Sequence, residues 1–221
     1  MTEQAKNWED VHRELQREII SGHRHPRERL VEDEIIARTG ATRHAVRLAF
    51  AELEKTGLVI RERNKGVHVR DYSVREIEEL YEIRECLERQ AARRFSEPAS
   101  TDTIEALTEI AGRHREASRK QNFGAVFDLN NRFHETLYRA CGNRQLADAI
   151  QHYTFATHPI RTRAFTSAEI REVAIAEHFE MIDALALGDA DRLWRIIEGH
   201  IRRPKDFYLK ANAIGEYASI A

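Results

Sequence analysis

β-prone patterning is confined to one short stretch of this chain, and that confinement limits the fold more than any other feature. Leu58-Val59-Ile60-Arg61-Glu62 and Val67-His68-Val69-Arg70 flank a turn-like Arg63-Asn64-Lys65-Gly66, the pattern of a β-hairpin. Three helical patterns precede it. Trp8, Val11, Leu15 and Ile19 recur every three or four residues over 8–21, and Gly22 ends that run. After Pro26, the spacing of Leu30, Ile35 and Ile36 predicts a second short helix that Gly40 terminates. Thr42 is placed to cap a third, in which Val46, Ala49, Phe50 and Leu53 share one face, and Gly57 closes it.

Three helices followed by a basic hairpin make a winged helix-turn-helix, predicted here for residues 1–72. In that arrangement the third helix enters the major groove and the hairpin touches the backbone or the minor groove. The charge distribution agrees. Residues 36–70 carry eight Lys/Arg against three acids, although the whole chain has a formal net charge of −2. Arg43 lies in the first turn of the third helix, His44 and Arg47 lie off its apolar face, and Lys65 with Gly66 forms the hairpin tip. These residues and Thr42 are the candidate DNA contacts.

Ser73-Val74-Arg75-Glu76 is a capping box, and it opens a helix expected to reach Phe95. Further helices are predicted over 101–119, 122–141, 144–163, 167–187 and 189–210, so residues 73–221 form an all-α domain. Four of these helices place polar groups on apolar faces. Arg84 sits among Ile77, Leu80, Leu87 and Ala91, with Glu88 one turn on. Asn130 and His134 share a face with Phe127, Phe133 and Leu137. His178 falls among Ala174, Met181 and Ile182, bordered by Glu177. His200 falls among Ile196, Ile197 and Phe207, and Pro204 removes the amide that would bond to its carbonyl. Three histidines from three helices suit Zn²⁺, Ni²⁺ or a similar ion and leave coordination positions open. Arg84 is either an ion-pair partner of Glu88 or a carboxylate clamp, with Arg161 and Arg163 as weaker clamps. His114, His152 and His158 have no motif support and read as surface or structural.

Residues 26–69 resemble the DNA-binding domain of the GntR family, through Pro26-Arg27-Glu28-Arg29-Leu30, Gly40-Ala41-Thr42-Arg43-His44-Ala45-Val46-Arg47 and the Lys65-Gly66 wing. Arg27 stands where the family usually has glycine. The stretches FHETLYRACGN and AEHFEMIDALALGDADRLWRIIEGHI resemble the FCD effector domain of the FadR subfamily. That resemblance implies a divalent metal (Zn, Ni or Mn) at Asn130, His134, His178 and His200, with Asn130 replacing the usual aspartate and removing a negative charge. It also implies a homodimer on double-stranded operator DNA. The expected function is a repressor released by a small organic or sugar acid. A metalloenzyme built on the three histidines, or a regulator answering to the metal alone, are the alternatives. With two separated cysteines, no basic leader and no apolar run long enough to span a bilayer, the chain is expected in the cytoplasm, with no membrane partner.

Overall fold

The computed structural model describes residues 6–20 and 23–218, with side chains up to Ala211, and the chain divides into two compact units. One comprises residues 1–73 with 155–159. The other comprises 74–154 with 160–221.

In the first unit, helices α1 (Trp8–Ile20), α2 (Glu32–Thr39) and α3 (Arg43–Lys55) accompany strands β1 (Arg29–Leu30), β2 (Val59–Glu62) and β3 (Gly66–Val69). Val46, Ala49, Phe50 and Leu53 of α3 are buried, and they join Val11, Leu15, Ile35, Leu58, Val67 and Val69 in one core. The expected end of α1 at Gly22 lies outside the described residues. Gly40 caps α2 at φ 66°, a left-handed conformation that glycine adopts without strain. Thr42 caps α3 by accepting from Ala45 N at 3.2 Å.

The hairpin is part of a three-stranded antiparallel sheet in the order β1-β3-β2. Leu30, expected to begin the second helix, instead pairs with Val67 in β1, and α2 starts only at Glu32. Pro26 and the turn after it make the chain extend before it coils, so Leu30 fills the core from a strand. Arg27 adopts φ 68° there, its amide donating to Val69 O at 2.9 Å and its Nε to Asp71 Oδ2 at 2.8 Å. Glycine's usual place in the family pattern follows from that left-handed backbone.

The second unit contains α4 (Val74–Ala92), α5 (Thr101–Arg119), α6 (Phe123–Arg139), α7 (Arg144–Ala156, ending in the first unit), α8 (His158–Ala164, with its first two residues in the first unit), α9 (Ala168–Leu187) and α10 (Ala190–Ala218). Ser100, Asn122 and Ser167 cap α5, α6 and α9 with their side-chain oxygens. The single helix expected over 144–163 is broken at Thr157. Pro159 has no N–H to donate to Phe155, so the helical ladder is interrupted and a new helix starts at His158 with the proline in its first turn. α10 continues through Pro204 and past residue 210, where the sequence pattern ends it.

The inward line of α4 also differs from expectation. Ile77, Tyr81, Arg84, Glu88 and Ala91 are buried, whereas Leu80 and Leu87 are half-buried. Polar side chains therefore occupy the centre of the helix's inner face, and each must find a partner.

Candidate functional site

Helix α3 presents its predicted contacts outward. Thr42, Arg43, His44 and Arg47 are all exposed, while Ala45, Val46 and Ala49 face the core. Both arginines are already held by acids on α2. Arg43 meets Asp33 at 2.6 Å and Glu32 at 3.3 Å, and Arg47 Nε meets Glu32 at 3.0 Å. At the wing, Lys65 is exposed and pairs with Glu62 at 2.6 Å, and Gly66 has φ 94°. A side chain on Gly66 would lie 3.4 Å from the guanidinium of Arg29, so the glycine lets the hairpin close over that arginine.

Three of the four polar positions singled out as ligands come together. His134 from α6, His178 from α9 and His200 from α10 are buried, and a ligand nitrogen from each lies within 4.8 Å of the others. Nε2 of His134 is 3.0 Å from Nε2 of His200. Two nitrogens bound to one ion at about 2.1 Å would stand roughly 3.0–3.4 Å apart. Burial, reinforced by the neighbouring His200, holds His134 and His178 well below the usual imidazole range, so both are neutral and offer lone pairs.

Asn130 lies one turn before His134 and is fully buried, with neither Oδ1 nor Nδ2 hydrogen-bonded. A buried amide left this way costs about 1–3 kcal/mol. Together with the unpartnered His178 Nε2, it marks a place where the fold provides donors and acceptors for something beyond itself. The donor set fits a divalent transition ion. Asp128, two residues earlier, points to solvent, as its angular offset from Asn130 requires.

The residues behind the triad are equally specific. Glu177 accepts from His200 Nδ1 at 2.9 Å and from Arg203 at 2.8 Å, so this acid bordering the site orients a histidine and is not a free base. His114 of α5, expected to be surface or structural, is buried with its Nδ1 3.3 Å from Nδ1 of His178. Burial pushes it down to about 4. Phe133 stacks on the other side of the His178 ring at 3.9 Å. His152 is exposed and His158 is buried at the start of α8.

Arg84, the first choice as a ligand clamp, has its anion within the chain. Glu88 lies 2.7 Å away, one turn along α4, and also accepts from the Tyr138 hydroxyl. Burial opposes the Arg84 charge, but Glu88 outweighs it and the pKa is raised. Arg161 differs. It is 4% exposed, donates through Nη2 to Asn131 at 2.9 Å, and leaves Nη1 buried without a partner. Burial, with Arg84 adding repulsion, lowers it to about 10. Arg163 is half-buried over the ring of Tyr208.

Arg84, Arg161, His134, His200, Glu177 and Pro204 line one cavity, whose enclosed space of about 10 Å³ holds roughly one water. Arg161, a buried cation with an open donor, and two of the three histidines, His134 and His200, thus line the same small space. No described helix is long and apolar enough to cross a membrane.

Comparison with known proteins agrees with this architecture. Residues 7–69 match the family described as bacterial regulatory proteins, gntR family, and residues 79–203 match the FCD domain. The HTH-type transcriptional repressor RspR of Escherichia coli K12 is 24% identical over 194 residues, covering 88% of this chain and 85% of its own. The probable D-xylose utilization operon transcriptional repressor of Paenarthrobacter nicotinovorans is 28% identical over 188 residues, 82% of this chain and 78% of its own. The solved structure of E. coli McbR/YncC superposes with a TM-score of 0.69 at 18% identity, over 93% of this chain and 98% of that one. The chain belongs to the GntR family of bacterial transcriptional regulators, with an FCD domain as its second module.

Proposed function

We propose that this regulator is a repressor that binds its operator as a homodimer and is released by a small carboxylate held in the cavity of the FCD domain. The observation that carries the proposal is Arg161, a buried cation with an unpartnered Nη1 beside the histidine triad. Such a group stays charged at low cost only when an anion completes its hydrogen bonds. His134, His178 and His200 would hold a divalent ion, with Asn130 as the neutral fourth donor. The ion would supply an open position for a carboxylate oxygen. Arg161 would take the other end of the same acid, which favours a hydroxy or sugar acid over a simple monocarboxylate. Repression is supported by the naming of RspR as a transcriptional repressor and of the xylose-operon relative as a probable one. Dimerisation follows from the symmetry of paired half-sites.

The test combines elemental analysis with operator-release titrations on the wild type and on Arg161→Met. Expected are about one transition-metal ion per wild-type chain and release by at least one hydroxy acid. The variant should keep metal and operator affinity but lose release. No bound metal after reconstitution with Zn²⁺, Ni²⁺ and Mn²⁺ overturns the metal site, and normal release from Arg161→Met overturns the clamp. Release by metal alone would favour a metal-responsive regulator.

A further inference from the structure

His114 and His178 are buried imidazoles whose Nδ1 atoms face each other at 3.3 Å, and the remaining nitrogen of each, Nε2, has no partner. Between two neutral imidazoles only one Nδ1 carries the proton. The direction of that bond has a chemical consequence. If His114 donates, His178 carries its proton on Nε2 and offers no lone pair beyond the bond. If His178 donates, its Nε2 is bare.

The partner histidine shows what the fold does when it settles this question. At His200, Glu177 can only accept, so Nδ1 carries the proton and Nε2 turns its lone pair toward His134 Nε2. We infer that His114 does for His178 what Glu177 does for His200: it accepts from Nδ1–H of His178 and fixes Nε2 as the metal-facing atom. This role rests on the metal site proposed above. It makes His114 a positioning residue on a fourth helix, with no contact to the ion required.

The choice of an imidazole over a carboxylate is also physically consistent. His178 is flanked by His114 on one side and stacked on Phe133 on the other, with no acid bonded to it. A neutral acceptor at this depth avoids the cost of burying a further charge. The site would then combine a neutral fourth donor, Asn130, with a neutral orienting group, His114. Glu177 would be the one anion bonded directly to a ligand histidine.

The experiment has two readouts on the full-length protein. Nitrogen-15 spectra of the metal-free wild type report which nitrogen of His178 is protonated. Competition with a chelator measures Zn²⁺ affinity in the wild type, His114→Leu and His114→Asn. The asparagine amide oxygen can take the place of Nδ1 as an acceptor. Expected are an Nδ1–H tautomer at His178, a loss of about 10–100-fold in Zn²⁺ affinity for His114→Leu, and recovery to within a few-fold of wild type for His114→Asn. Protonation of His178 at Nε2 overturns the inference without any variant having to fold. Unchanged Zn²⁺ affinity in His114→Leu overturns it too, while leaving the metal site intact. A wild-type protein that takes up no Zn²⁺ sinks the metal site itself and this role with it.

Discussion

Arg27 shows how a single departure from a family pattern is absorbed. Its φ of 68° is a conformation in which any side chain beyond glycine crowds the carbonyl, at a cost of about 1–2 kcal/mol. The exposed ion pair with Asp71 offsets little of that. Arg27→Ala should therefore lower stability slightly, and Arg27→Gly should be more stable than Arg27→Ala by about 1 kcal/mol in urea unfolding. Equal midpoints for the two would show that the turn is unstrained. The substitution was visible in the sequence, but the left-handed backbone behind it was not, because φ depends on how β1 pairs with β3. The same division holds in the effector domain. Arg84 with Glu88 was readable as a pair four residues apart, and the histidine triad from helical periodicity alone. That Glu88 is also bound by Tyr138, and that Arg161 lacks an anion, depends on α4, α6 and α8 meeting in space. His114 gave no signal at all, since its partner is 64 residues away and its own helix offers no flanking motif.

At the level of elements, acids of α2 hold the outward arginines of α3 in place. Glu32 touches both Arg43 and Arg47, so two guanidiniums are oriented before any DNA arrives. Arg47→Ala should weaken operator binding by about 1–3 kcal/mol if it makes a bidentate base contact. Glu32→Gln should act in the opposite sense on nonspecific DNA: tighter binding, a steeper salt dependence and poorer discrimination of the operator, measured by titration at several ionic strengths. Unaltered discrimination in Glu32→Gln would mean that the pairs are incidental. Most helices were legible from apolar spacing, with Thr42 as a cap and Gly40 as a stop, but α7 and α8 were read as one. Boundaries failed where proline or pairing intervened, at Pro159 and at Leu30. Both failures reflect the missing amide or the extended backbone, neither of which apolar spacing records.

For the whole molecule, the buried imidazoles tie stability to pH. His114, His134 and His178 have folded-state values below the unfolded value of about 6.5, so the unfolded chain takes up protons first as pH falls. Above that value these histidines carry no protonation penalty, and stability is lost progressively below it, through about pH 4 for His114. The metal-free protein should therefore melt at lower temperature at pH 5 than at pH 7.5, and His114→Leu should reduce that difference. An identical pH dependence in the variant would remove His114 from this linkage. Finally, the cavity that would receive the effector has room for roughly one water. An acid of several carbons exceeds that space, so under the proposed function the side chains lining it would have to part to admit it, and its arrival would be a gated event. Association should speed up with concentration only until it meets the frequency of opening, then level off, and the affinity measured at equilibrium carries the cost of that opening. The time an operator stays occupied after the acid appears would then be set by the protein's own breathing, whatever the supply of acid.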